Sequence, residues 1–212
     1  MTITVFGATG MVGQQVVQQA LALSHHVKAF GRNVDNLIDK DLHNTNFEAI
    51  KGYVFDEAEV FEAIENSDAV ISVLGGGFDG IDKTRSLGIK NIITQMHKAG
   101  VNRIVALGGM GILNFTEDQL LIDEPHYPTE YIPVGLEHLA AYEYLAASNM
   151  QYTFVCAPNI LKMNKTGKYI TSANYPPIPN NNEIAAGDLA DFMLQELNNN
   201  FYCLKKVGIS RL

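Results

Sequence analysis

Residues 1–13, MTITVFGATGMVG, constrain this chain more than any other stretch. A β-branched run from Thr2 to Phe6 stops at Gly7, and glycines recur at Gly10 and Gly13. Met11, Val12, Val16, Val17, Ala20, Leu21 and Leu23 then follow helical spacing. A strand that turns on glycine into a helix presents free N–H groups and the positive end of a macrodipole, which suits a phosphate. The missing side chains let a pyrophosphate approach the backbone, and Gly13 lets the helix pack close to the sheet. The spacing is G-x-x-G-x-x-G, so its weight comes from its place between a strand and a helix.

The pattern repeats along the chain. Strands are expected at 25–30, 46–50, 68–74 and 102–107, with helices at 34–40, 57–65 and 86–98 between them. Such βαβ alternation predicts a parallel, doubly wound α/β sheet of the Rossmann kind, whose ligands bind beyond the carboxyl ends of the strands. Gly7, Arg32, Asp56, Gly75 and Gly108 all fall at such ends. At the second one, Gly31-Arg32-Asn33 stands where an acid would bind the ribose hydroxyls of NAD, and the nearest acid is Asp35. A guanidinium can clamp a 2′-phosphate that a carboxylate would repel. The expected cofactor is therefore NADP(H), with NAD(H) the lesser choice; a solvated surface charge is the plain alternative for Arg32.

Beyond Gly109 the pattern loosens. Residues 110–132 form a long connection containing Phe115, His126, Tyr127 and Tyr131, as expected of a binding segment or lid. Pro133 opens a helix to about Ser148, 151–156 is a strand, and 161–182 holds one strand-like piece at 168–172. A helix at 184–197 and a strand at 202–209 follow. The chain reads as one domain over 1–212, with 110–132 and 161–182 as substrate-side loops, the latter a small C-terminal excursion.

A charge balance of −8 argues against nucleic acid or an acidic membrane surface as partner. No apolar run reaches the ~18 residues of a membrane span, and no signal-peptide pattern opens the sequence, so a cytoplasmic setting is expected. Cys156 and Cys203, the two cysteines, read as reduced core thiols, and no Cys/His cluster has metal-ligand spacing. The sequence leaves monomer and homodimer open.

Several segments together resemble the atypical short-chain dehydrogenase/reductase family, the single-domain NAD(P)H-binding group of NmrA-like sensors, quinone reductases and flavin or biliverdin-IXβ reductases. They are Gly7-Ala8-Thr9-Gly10-Met11-Val12-Gly13, Phe30-Gly31-Arg32-Asn33, the 52–56 corner, the 68–75 strand, EYLAASNMQYTFVCAP at 143–158 and the 187–192 helix. The resemblance implies that Thr9, Gly10, Met11 and Val12 hold the pyrophosphate and Arg32 the 2′-phosphate. It further implies that Phe55 and Asp56 border the adenine, that Leu74, Gly75 and Gly76 line the ribose, and that Pro158, Asn159 and Ile160 flank the nicotinamide, near Leu107 and Gly108.

Departures from the family pattern concern catalysis. Leu107-Gly108-Gly109 lacks the Ser or Thr expected at the end of that strand, and the helix that follows lacks Tyr-x-x-x-Lys. The one such match, Tyr202 to Lys206, reads as chance on one face of the last strand. A carbonyl substrate needs a proton donor, whereas a flavin, quinone or tetrapyrrole spreads charge over its rings and can take a proton from solvent. An apolar wall of Phe78, Phe115, Tyr127 and Tyr131 would suit such an extended conjugated small molecule. His138 is the candidate proton donor because an ordinary imidazole titrates near neutrality, and Tyr142 lies one turn on; both also read as ordinary helix packing. The expected function is an NADPH-dependent reductase of a conjugated acceptor, with a non-catalytic redox sensor as the alternative and an epimerase-like enzyme third.

Overall fold

The computed structural model describes residues 1–34, 37 and 44–212. An eight-stranded sheet forms the middle layer. Its strands are β1 (Thr2–Phe6), β2 (His26–Gly31), β3 (Phe47–Lys51), β4 (Ala69–Ser72), β5 (Arg103–Gly109), β6 (Gln151–Ala157), β8 (Tyr169–Ala173) and β10 (Lys205–Arg211). Their order is β3-β2-β1-β4-β5-β6-β10-β8, all parallel except for β8 against β10. Two further strands, β7 (Asn159–Leu161) and β9 (Glu183–Ala185), pair in a separate parallel ribbon. The helices are α1 (Met11–Ala22), α2 (Glu57–Ile64), α3 (Thr84–Ala99), α4 (Ile132–Ala146) and α5 (Ala186–Asn199). This is the doubly wound architecture that the alternation predicts. The helix expected at 34–40, and Asp35 with it, falls largely outside the described residues.

Strand side chains alternate between two apolar layers. Ile3, Val5, Ile71, Val105 and Val155 face α1 and α5. Phe6, Val70, Ile104, Ala106 and Phe154 face α2, α3 and α4. Thr4, the buried polar residue of β1, donates its hydroxyl to Ala63 O at 2.8 Å and meets Ser67 Oγ at 2.7 Å. Cys156 lies in the second layer, where burial pushes its thiol up to about 12, and Cys203 is half-buried.

Several strand details correct or extend the sequence pattern. The fourth strand stops at Ser72 instead of running to residue 74, because β1, its partner, turns away at Gly7 and Val73 N makes the last ladder bond to Phe6 O. The strand-like piece expected at 168–172 is β8, which forms the antiparallel edge of the main sheet. Pro158 is followed by a strand, β7, that the Asn/Pro-rich sequence hides. Tyr202 and Lys206 do not share a strand face. Tyr202 sits in the turn before β10 with its hydroxyl 2.9 Å from Thr171 Oγ1. Lys206 is buried and donates to Ile112 O and Asn114 Oδ1, both at 2.7 Å, tying the 110–120 segment to the sheet.

Candidate cofactor and substrate cleft

A cleft of about 1200 Å³ runs across the carboxyl ends of β2, β1, β4, β5 and β6. At roughly 4.8 Å per strand that row spans about 19 Å, the reach of an extended dinucleotide. It also exceeds the roughly 300–1,000 Å³ typical of a single small-ligand pocket.

The glycine turn forms its floor. Gly7 has φ +81°, and a Cβ there would lie 2.5 Å from Val73 O. A Cβ at Gly13 would overlap Gly7 O and Ala8. Gly10 N–H closes the turn on Gly7 O at 3.0 Å, and Gly10 starts α1 with no side-chain cap and no acid in the first turn. The N-terminal N–H groups of α1 are thus left for a ligand. The backbone cradle fits a pyrophosphate.

Arg32, at the end of β2, is exposed and lines the same cleft. Next to it Tyr53 and Phe55 present rings 5.1 Å apart, edge to face. Gly7, Thr9, Gly10, Met11, Val12, Leu74, Gly75, Leu107, Gly108, Pro158, Asn159 and Ile160 all line the cleft. Asp56, Gly76 and Tyr142 do not. The Asp56 carboxylate caps α2, accepting from Ala58 N at 2.9 Å and Glu59 N at 3.0 Å. Gly76 turns its carbonyl to Arg85 Nη2 at 3.0 Å. Tyr142 packs on Phe154 and Tyr152, with Lys206 Nζ 5.4 Å from its ring centre.

The far end of the cleft is built by the β4–α3 connection, the 110–131 segment and α4. Phe78, Tyr127 and Tyr131 line it, whereas Phe115 stays outside. Glycines allow the close packing: a Cβ at Gly111 would overlap the Tyr127 hydroxyl, and one at Gly135 would come 2.5 Å from Ile122 Cδ1. Of residues 161–182, Asn182 alone reaches the wall.

The sequence gives no sign of Arg85, a buried guanidinium in this wall. Its Nη1 and Nη2 donate to Gly77 O and Gly76 O at 2.8 and 3.0 Å, and its charge stacks 5.7 Å from the Phe78 ring centre. Asp82 braces the same loop, accepting from Gly77 N and Thr84 N, both at 2.9 Å. Glu137, buried on α4, accepts from Lys83 Nζ and Ser86 Oγ at 2.7 Å and locks α4 to the start of α3.

His138 follows Glu137 and lines the cleft beside Gly109. The expectation of a near-neutral titration is corrected. Burial, then the Arg85 charge, push the imidazole down to about 3, so it is neutral at ordinary pH. Among the described residues no three His, Cys, Asp or Glu side chains are grouped to hold a metal, and no helix is long and apolar enough to cross a membrane.

Comparison with known proteins agrees with this geometry. Over 141 residues the chain is 28% identical to the uncharacterised protein YwnB of Bacillus subtilis (strain 168), an overlap covering 64% of this chain and 61% of YwnB. The chain spans about three fifths of the length of the curated relatives it matches. A candidate epimerase from Bacteroides thetaiotaomicron superposes with a TM-score of 0.86 at 25% identity, covering 100% of this chain and 97% of that one. A candidate NADH-flavin reductase from Streptococcus pneumoniae TIGR4 gives 0.84 at 23% identity over 100% of both chains, a likeness of fold. The family model for NAD(P)H-binding proteins matches residues 7–200. With that match laid on a glycine-floored cleft at the strand ends, the chain belongs to the NAD(P)H-binding family.

Proposed function

We propose that this protein binds NADPH in preference to NADH and reduces a flavin, quinone or similar conjugated acceptor. One observation carries the reading: a single cleft has a pyrophosphate cradle and Arg32 at one end and an aromatic wall of Phe78, Tyr127 and Tyr131 at the other. Thr9, Gly10, Met11 and Val12 would hold the pyrophosphate, Arg32 the 2′-phosphate, and Pro158, Asn159 and Ile160 the nicotinamide. When bound, the dihydronicotinamide supplies the hydride; the chain binds, orients and excludes water. The wall would stack a flat acceptor against the cofactor end of the cleft. Gly108 and Gly109, without a hydroxyl, favour acceptors that spread charge over their own rings over simple ketones or alcohols. The name of the Streptococcus relative supports a flavin acceptor. A cytoplasmic setting belongs to the same reading.

Stopped-flow NADPH oxidation against a panel of flavins, quinones and tetrapyrroles tests the proposal. Turnover above the enzyme-free rate with at least one acceptor is expected, and none with any would sink it. The absent Tyr-x-x-x-Lys pair also favours a second reading, a redox sensor that binds the cofactor without turning it over. Capture of a partner that changes between NADP⁺ and NADPH would support the sensor; equal capture would count against it.

A further inference from the structure

Gly109 and His138 explain each other. Gly109 leaves the end of β5 without a side chain. A Cβ on Gly109 would lie 2.7 Å from His138 Cδ2 and 3.2 Å from Nε2, inside any tolerable contact for the first. The imidazole therefore occupies the volume that any side chain at position 109 would claim. In the sheet register Gly109 pairs with Ala157, the residue before Pro158 and Asn159. His138 thus stands over the β5 and β6 ends, away from the α1 cradle and Arg32.

The surroundings also assign the tautomer. Nδ1 is enclosed and has no hydrogen-bond partner, whereas Nε2 is not so enclosed and sits on the side of the ring that meets Gly109 and the cleft. A buried N–H without an acceptor is among the rarest features of a folded chain. The proton therefore belongs on Nε2, where a ligand can accept from it, and the bare lone pair on Nδ1.

We propose that His138 is a fixed hydrogen-bond donor, through Nε2–H, to a carbonyl oxygen conjugated with the rings of the acceptor. With a quinone as that acceptor, a bound dihydronicotinamide would supply two electrons and one hydrogen, so that one C=O becomes C–OH and the ring aromatises with negative charge on the second oxygen. A proton from water then completes the hydroquinone, so NADPH, quinone and H⁺ give NADP⁺ and hydroquinone. His138 keeps its proton throughout; it lowers the energy of the developing oxyanion by a hydrogen bond, as a pre-organised donor does in an enclosed site. An acceptor without such an oxygen gains nothing from this group. The inference rests on the reductase reading above and narrows its substrate.

Calorimetry in saturating NADP⁺, where no reduction occurs, tests it with 1,4-naphthoquinone and, as a shape control, naphthalene. His138→Phe is expected to weaken naphthoquinone about tenfold, leaving naphthalene and NADP⁺ within about twofold, and His138→Gln to recover most of the loss. Equal weakening of naphthoquinone and naphthalene, or none of either, overturns the donor role. Long-range ¹H–¹⁵N spectra of the wild-type imidazole need no variant: an Nε2–H tautomer that shifts on adding naphthoquinone supports the proposal, and an Nδ1–H tautomer overturns it. Loss of NADP⁺ binding by the wild type would instead overturn the reductase reading, so the two failures are distinct.

Discussion

Arg32 and His138 stand at opposite ends of the row of strand termini, and each converts a local accident of sequence into selectivity. For Arg32 the accident is the absence of an acid at the end of β2. Arg32→Glu should weaken NADPH by at least about tenfold and NADH little, read by fluorescence titration; equal changes in both affinities would remove Arg32 from the cofactor site. For His138 it is glycine at 109. The imidazole binds its proton less readily in the fold than the ordinary value of 6.5, down to about 3. Its neutral state is therefore compatible with the fold above pH 6.5, and stability is lost as pH falls from there toward 3, because the unfolded chain takes up the proton first. Chemical denaturation between pH 7 and 4 should show a steeper acid decline for the wild type than for His138→Gln. Identical slopes would mean that the ring is not held neutral.

At the scale of elements, the parts that obey local rules were readable in the sequence and the parts that depend on distant partners were not. The glycine turn, the apolar strands and the helical spacing of Val60, Phe61 and Ile64 each carry their own period, so β1 through β5 and the intervening helices between described residues follow from pattern. The cleft residues contributed by that half were legible for the same reason. The exceptions are Asp56, whose carboxylate serves a helix cap, and Gly76, whose carbonyl serves Arg85. The far wall was less legible, since Arg85, Tyr127 and His138 acquire their roles from packing between the β4–α3 connection, the 110–131 segment and α4. Asp188 makes the same point. The sequence places it on a helix but not its service to residues 21 and 22 positions back, where it accepts from Thr166 N, Thr166 Oγ1 and Gly167 N, each at 2.7 Å. Asp188→Ala strands these groups beside a fully buried position and should cost about 3 kcal/mol in urea unfolding. A cost below about 1 kcal/mol would mean that water replaces the carboxylate.

At the scale of the molecule, a ligand that bridges several strand ends ties together elements from both apolar layers. Binding should therefore appear as global stabilisation. At a hundred times its dissociation constant, a cofactor adds about 2.7 kcal/mol, which for a domain of this size is roughly 5–10 °C in Tm. NADPH should produce such a shift in a thermal melt, and NADH at the same concentration a smaller one. No shift with either would contradict occupation of the cleft.

The strand order has one more consequence, and it concerns biosynthesis. β8 is made before β10, yet its neighbour in the sheet is β10, which lies between it and β6. As the chain leaves the ribosome, the cofactor half can close on its own strands while β8 still has no edge to join. Lys206, on β10, is also the residue that anchors Ile112 and Asn114. A nascent chain halted before β10 would carry a formed phosphate cradle beside a substrate wall that lacks its Lys206 anchor. The order of synthesis thus separates the two halves of the cleft in time, and a cofactor can meet its half before an acceptor can meet the other.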